Sequence, residues 1–146
     1  MSLLKATRVM QYPLQAEFIF NIAADSMLDI VAGVVKVFNA AGPVFEPINL
    51  PPNAIVVGGD VTVETVSDDT GTATIAVGDS ANAVRYLAAT SIKTAARIPL
   101  VPTGYRGVGE NIRVTLANQN ANAANGKVSL RVLYTITGRA QETQLT

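Results

Sequence analysis

Apolar and polar positions alternate along most of this chain with a period of two. Gln15 to Ile22 places Phe18, Phe20 and Ile22 on one face and Glu17 and Asn21 on the other. Val61 and Val63 oppose Thr62 and Glu64, and a few residues later Ala73, Ile75 and Val77 oppose Thr72 and Thr74. From Glu110 to Ala117, Ile112, Val114 and Leu116 face one way and Arg113 and Thr115 the other. The longest run is Lys127 to Thr137, with Val128, Leu130, Val132, Tyr134 and Ile136 set against Lys127, Ser129, Arg131, Thr135 and Thr137. Such alternation marks strands with one buried face.

The segments between these runs predict how the strands connect. Residues 54 to 66 and 72 to 79 flank Ser67-Asp68-Asp69-Thr70-Gly71, where Asp side chains bond the backbone just ahead and Gly tolerates positive φ. The pattern predicts a hairpin there. Asp25 to Asp29 reads as a short polar connection or a single helical turn capped by Asp25 or Ser26, and Gly33 to Phe38 as a short strand. Val84 to Ala88 reads as a strand or bent strand, and Ser91 to Val101 as a weaker one. Proline confines a strand to an edge, so Glu46 to Asn53, with Pro47, Pro51 and Pro52, is expected to run over an edge, and Pro99 and Pro102 mark another. Asn118 to Gly126 is a polar tip with an Asn-Gly close.

Together these runs predict an all-β fold of about eight or nine short strands, a jelly-roll or related Greek-key β-sandwich. Residues 1–146 are expected to form one domain, with Met1 to Pro13 as an extended N-terminal arm, frayed or reaching to a neighbour, and residues 140–146 as a polar tail.

Composition narrows the chemistry. The 146 residues include neither Cys nor His. That removes Ser-His-Asp and Cys-His nucleophile systems, His-based zinc sites and disulfides. Charged residues make up 15% of the chain, which suits a surface covered by partners. Net charge is zero, but the first 83 residues hold nine acidic and three basic side chains and the remainder two acidic and eight basic. Interleaved strands would turn this asymmetry into cross-strand ion pairs; segregated strands would make a dipolar particle.

Motifs resembling active sites have simpler readings. Gly104 to Gly109 is glycine-rich but leads from a proline-rich loop into a strand, whereas a dinucleotide loop opens a helix. Asp68, Asp69 and Thr70, or Asp79, Ser80 and Asn82, offer oxygen ligands for calcium, yet each set is ordinary turn chemistry without EF-hand alternation. Paired carboxylates for glycoside hydrolysis would need aromatic sugar platforms, and the chain has no Trp. We therefore expect no enzyme activity, metal or cofactor. Without a basic, aromatic-interleaved cluster we expect no nucleic-acid partner, and without a signal or a run of roughly 20 apolar residues no membrane partner. Synthesis in a cytoplasm is the expectation that follows.

Four stretches taken in order carry a family resemblance: NLPPNAIVVGGDVTVETV, then IAVGDSANAVRYLAATSIKTAARIPL, then TGYRGVGENIRVTLA, then GKVSLRVLYTITGRA. Over Gln15 to Arg139 the chain resembles the jelly-roll cement, or decoration, proteins of tailed-bacteriophage capsids. The resemblance implies a structural protein on the capsid exterior, made in a host bacterial cytoplasm. Its implied partners are the major capsid protein and further copies of itself, as a homodimer or other homo-oligomer. Candidate contacts lie in the arm (Leu3, Leu4, Tyr12), in the proline-rich crossover (Phe45, Pro47, Pro51, Pro52) and in the loop from Pro102 to Glu110 (Tyr105, Arg106). Two other readings stay open: a tail or head-to-tail virion component, and a carbohydrate-binding sandwich with an aromatic site.

Overall fold

The computed structural model describes residues 13–138. Ten strands and no helix occur among them: β1 (Leu14–Asn21), β2 (Ser26–Leu28), β3 (Val35–Val37), β4 (Val44–Ile48), β5 (Ala54–Thr65), β6 (Ala73–Gly78), β7 (Leu87–Ser91), β8 (Arg97–Pro99), β9 (Ile112–Asn118) and β10 (Lys127–Ile136). Eight of them form two four-stranded antiparallel sheets, ordered β1-β10-β5-β8 and β4-β9-β6-β7. Read in chain order without β2 and β3, this is the jelly-roll strand order. The remaining pair, β2-β3, is a separate hairpin inserted between the first two jelly-roll strands.

Alternation places the core between the sheets. Phe20, Val61, Val63, Val128, Leu130 and Val132 from one sheet meet Phe45, Ile75, Val77, Ile112, Val114 and Leu116 from the other in a single buried cluster. Prolines fall where the missing donor is tolerated: Pro47 lies in β4 and Pro99 in β8, and both are edge strands.

The hairpin expected at 67 to 71 is absent, because β5 and β6 belong to different sheets. The turn chemistry forms, with the Gly71 amide donating to Asp69 Oδ1 at 2.7 Å, but the connection crosses from one sheet to the other. It is fastened to the Asn-rich tip instead. Asp68 Oδ1 accepts the Ala124 and Asn125 amides at 2.8 and 2.9 Å, Asn125 Nδ2 reaches Asp68 Oδ2 at 2.8 Å, and Lys93 Nζ donates to the Asp69 and Gly71 carbonyls. Asp29 corrects a second expectation. Residues 26 to 28 are a strand, and the Asp29 carboxylate accepts the Val31, Ala32 and Val44 amides and pairs with Lys36, fixing the hairpin turn.

Packing then ties the hairpin to the sandwich. Phe38, just past β3, lies 4.6 Å from the Phe20 ring and 4.4 Å from the Phe45 ring, centroid to centroid. Such pairs contribute about 0.5–1.5 kcal/mol each beyond their buried area. Within β5, two residues past the register shift at Val57, Gly59 pairs with Val132 of β10 at φ +128°, where a Cβ would fall 2.2 Å from the Arg131 carbonyl oxygen. Only glycine fits there.

Charge interleaves. Of the five ion pairs among the described residues, Arg85–Asp79, Arg97–Asp60, Arg113–Glu46 and Lys127–Glu64 each join an acid of the first 83 residues to a base of the remainder; Lys36–Asp29 does not.

Candidate interaction surfaces

Three connections converge at one end of the sandwich: the crossover after β4, the loop after β6, and the long loop from β8 to β9. Their polar groups interlock. Asp79, buried at the end of β6, accepts the Ala81 and Asn82 amides at 2.9 and 2.8 Å and pairs with Arg85. The Arg85 guanidinium lies 3.6 Å from the centre of the Tyr105 ring. Tyr105 in turn donates its hydroxyl to Glu110 Oε1 at 2.6 Å, and Glu110 Oε2 accepts the Val108 amide at 2.7 Å. These contacts shift the ionisations in opposite directions: the hydrogen bond lowers Glu110 below its ordinary range and raises Tyr105 above its own. Burial pushes neighbouring Tyr86 up to about 12.

Backbone bonds complete the clasp. The Asn53 amide donates to the Gly107 carbonyl at 2.8 Å, the Gly107 amide to the Ala54 carbonyl at 3.0 Å, and Arg106 bridges Ile55. The loop is thereby held in one shape, with Arg106 exposed and Val108, at 80% exposure, at its tip. A preorganised loop loses little entropy when it docks.

The structure distributes the candidate contacts unevenly. Tyr105 and Arg106 lie in the clasped loop beside Pro51 and Pro52, so two stretches separate in sequence share one surface. Pro52 is exposed, Pro47 and Pro51 partly so. Phe45 is different: it is fully buried in the aromatic cluster and has no surface to offer. Its place in the alternation of β4, with the aromatic side chain inward, is the reason. Leu3, Leu4 and Tyr12 lie outside the described residues.

Sequence reasoning passed over the β2-β3 hairpin. Register pairs Ser26 with Val37 and Leu28 with Val35, all exposed, while Met27 and Lys36 take the other face. Around the turn Val31 and Val34 are 71% and 55% exposed. The available signal was the run Asp29-Ile-Val-Ala-Gly-Val-Val, whose valines and isoleucine are too many for one face of a short hairpin. Contiguous exposed apolar residues of this kind mark contact surfaces.

The carboxylates considered for calcium are engaged otherwise. Asp68 and Asp69 accept loop amides, and Asp79 accepts amides and a guanidinium. Among the described residues no group of three or more acidic side chains gathers as a metal site would require. Among the described residues the aromatic rings are likewise spent inward: Phe20, Phe38, Phe45 and Tyr86 are buried, and Phe18, Tyr105 and Tyr134 partly so.

The fold is that of an antiparallel jelly roll carrying a hairpin insertion between its first two strands. No family model matches the chain, and neither does any curated protein. Solved structures do. The chain is similar to one in the cyanophage Pam1 capsid asymmetric unit, at 22% identity and a TM-score of 0.62, over 92% of this chain and 94% of that one. It is similar to one in the acidic stable capsid structure of Helicobacter pylori bacteriophage KHP30, at 20% identity and a TM-score of 0.59, over 86% and 89%. A third likeness is to a chain in the capsid of Ralstonia phage GP4, at 18% identity and a TM-score of 0.53, over 90% and 91%. At these identities the likeness establishes a shared fold.

Proposed function

We propose that this protein is a non-enzymatic structural component of a bacteriophage virion that binds the outside of the capsid and cements neighbouring major capsid protein subunits, acting as a homodimer or other homo-oligomer. The observation that carries this reading is the whole-length fold shared with chains from three phage capsids. The contacts assigned to the shell are the clasped loop with Arg106 and Val108, the adjoining Pro51 and Pro52, and the apolar face of the β2-β3 hairpin. Modest contacts suffice, since an oligomer engaging repeated subunits binds multivalently. Among the described residues the inward use of aromatic side chains disfavours the carbohydrate-binding alternative, which needs rings free to stack on sugars.

Co-sedimentation tests the proposal. Purified protein is mixed with capsid shells lacking it and with isolated tails, and shell melting is followed in parallel. Binding to shells that raises their melting temperature is the expected result. Binding to tails alone would overturn it in favour of a tail or head-to-tail component.

A further inference from the structure

The outward face of the β1-β10-β5-β8 sheet is patterned in charge. Alternation turns the apolar side chains of these strands into the core and leaves every charged one on the other side: Glu17 of β1, Lys127 and Arg131 of β10, Asp60 and Glu64 of β5, and Arg97 of β8. Three acids and three bases leave the face neutral. Register arranges them in rows. Glu17 lies opposite Arg131, and Arg131 opposite Asp60. Arg97 is opposite Thr62, but its guanidinium reaches back to Asp60 Oδ2 at 2.8 Å. Across the four strands the signs therefore run negative, positive, negative, positive over about 14 Å. A second row repeats the step between β10 and β5, where Lys127 meets Glu64 at 2.9 Å. Glu17 and Arg131 are exposed, as is the Arg97 side chain, and among the described residues neither Glu17 nor Arg131 enters an ion pair.

A second copy matches this pattern under one of the two ways of laying the face on itself. A two-fold axis parallel to the strands, midway between β10 and β5, lays β1 over the partner's β8 and β10 over the partner's β5. Glu17 then meets the partner's Arg97, Arg131 the partner's Asp60, and Lys127 the partner's Glu64, and symmetry makes each contact twice. An axis along the row would instead set Glu17 over the partner's Glu17 and Arg131 over the partner's Arg131, and like charges so placed repel. We infer that this protein self-associates through the outward face of the β1-β10-β5-β8 sheet, as an isologous dimer in which Glu17 pairs with the partner's Arg97 and Arg131 with the partner's Asp60. A recess of about 230 Å3 between Gln15, Asp60, Arg97, Arg131 and Leu133 opens the row to the partner's side chains. The interface rests on the homo-oligomeric reading proposed above and gives it a surface.

Full-length protein without shells provides the test. Sedimentation equilibrium is expected to show a dimer that weakens as salt rises. Glu17→Arg and Arg97→Glu are each expected to weaken self-association by at least about a hundredfold, because each sets like charges across the two-fold axis twice. Mixing these two variants restores opposite charges at both contacts, so a dimer with one copy of each is expected to return to within about tenfold of wild type. Arg131→Glu gives a reading independent of Arg97 and should weaken association comparably. Thermal unfolding shows which variants stay folded; should Arg97→Glu not, Glu17→Arg and Arg131→Glu decide. A monomeric wild type, unchanged association of Glu17→Arg or Arg131→Glu, or a mixture of folded variants no stronger than its components would each overturn the inference. With no shell present, failure here leaves the capsid contacts standing, and failure to bind shells leaves this interface standing.

Discussion

Asp29 holds the β2-β3 hairpin, and the strength of that hold follows from its geometry. Its side chain is buried, with Oδ1 accepting the Val31 and Ala32 amides at 2.9 and 2.8 Å, and Oδ2 accepting the Val44 amide at 3.2 Å and Lys36 Nζ at 3.1 Å. The Ala32 amide is the largest influence on its ionisation; with the other donors it outweighs burial and lowers the pKa from 3.8 to about 2. A carboxyl group with a folded pKa below its unfolded value stabilises the fold above the unfolded pKa. That stabilisation is lost as pH falls from about 4 towards 2, and the shift corresponds to about 2 kcal/mol. Asp29→Asn keeps one acceptor oxygen and loses the charge, so at pH 7 it is expected to cost about 2 kcal/mol. Asp29→Ala leaves every donor without its acceptor and is expected to cost about 3 kcal/mol. Urea unfolding at pH 7 and at steps from pH 4.5 to 2 measures both effects. Glu64, Asp68, Asp69 and Glu110 are also held below their ordinary range and bring their own acid loss, so the readout is the difference between wild type and Asp29→Asn. That difference should shrink towards zero at pH 2. A difference that is negligible at pH 7, or constant across the range, would refute the assignment.

Other substitutions separate the remaining contributions. Gly59→Ala should cost about 3 kcal/mol or more in urea unfolding, because its Cβ would strike the Arg131 carbonyl at a φ that other residues avoid. Phe38→Ala should cost about 3–5 kcal/mol by the same measurement, since it opens a cavity between Phe20 and Phe45. Arg97→Ala should cost less than about 1 kcal/mol, the Arg97 side chain being 65% exposed in its pair with Asp60; a larger loss would mean that this pair is coupled to the core. Val108→Asp should leave thermal unfolding within about 0.5 kcal/mol of wild type while abolishing co-sedimentation with shells, and retained binding would remove the loop tip from the proposed contact.

Period-two alternation was a sound guide to which side chains are buried, as β1, β9 and β10 show. Phe20, Ile112, Val114, Leu116, Val128, Leu130 and Val132 are all in the core. Proline likewise marked the edge strands correctly. Partner choice was beyond its reach. Residues 54 to 66 and 72 to 79 alternate as the arms of a hairpin would, yet the first pairs with β10 and β8 and the second with β9 and β7, never with each other. Of the candidate contact residues, Pro51, Pro52, Tyr105 and Arg106 are brought together from two separate stretches, Phe45 is buried, and the exposed valines of the hairpin were not among them.

Local terms were legible along the chain: an all-β composition, inward and outward positions along the strands, chain breaks at Pro, Gly and Asp, and the lack of His and Cys. These depend on neighbours one to four positions away. Tertiary structure alone decided that β5 and β6 lie in opposite sheets, that Asp68 and Asp69 fasten the Asn-rich tip, and that Tyr105, Glu110, Arg85 and Asp79 close one clasp. Each of those outcomes joins residues whose separation in sequence carries no periodic signal, and each is set by which strand edges remain to be paired once the core has closed.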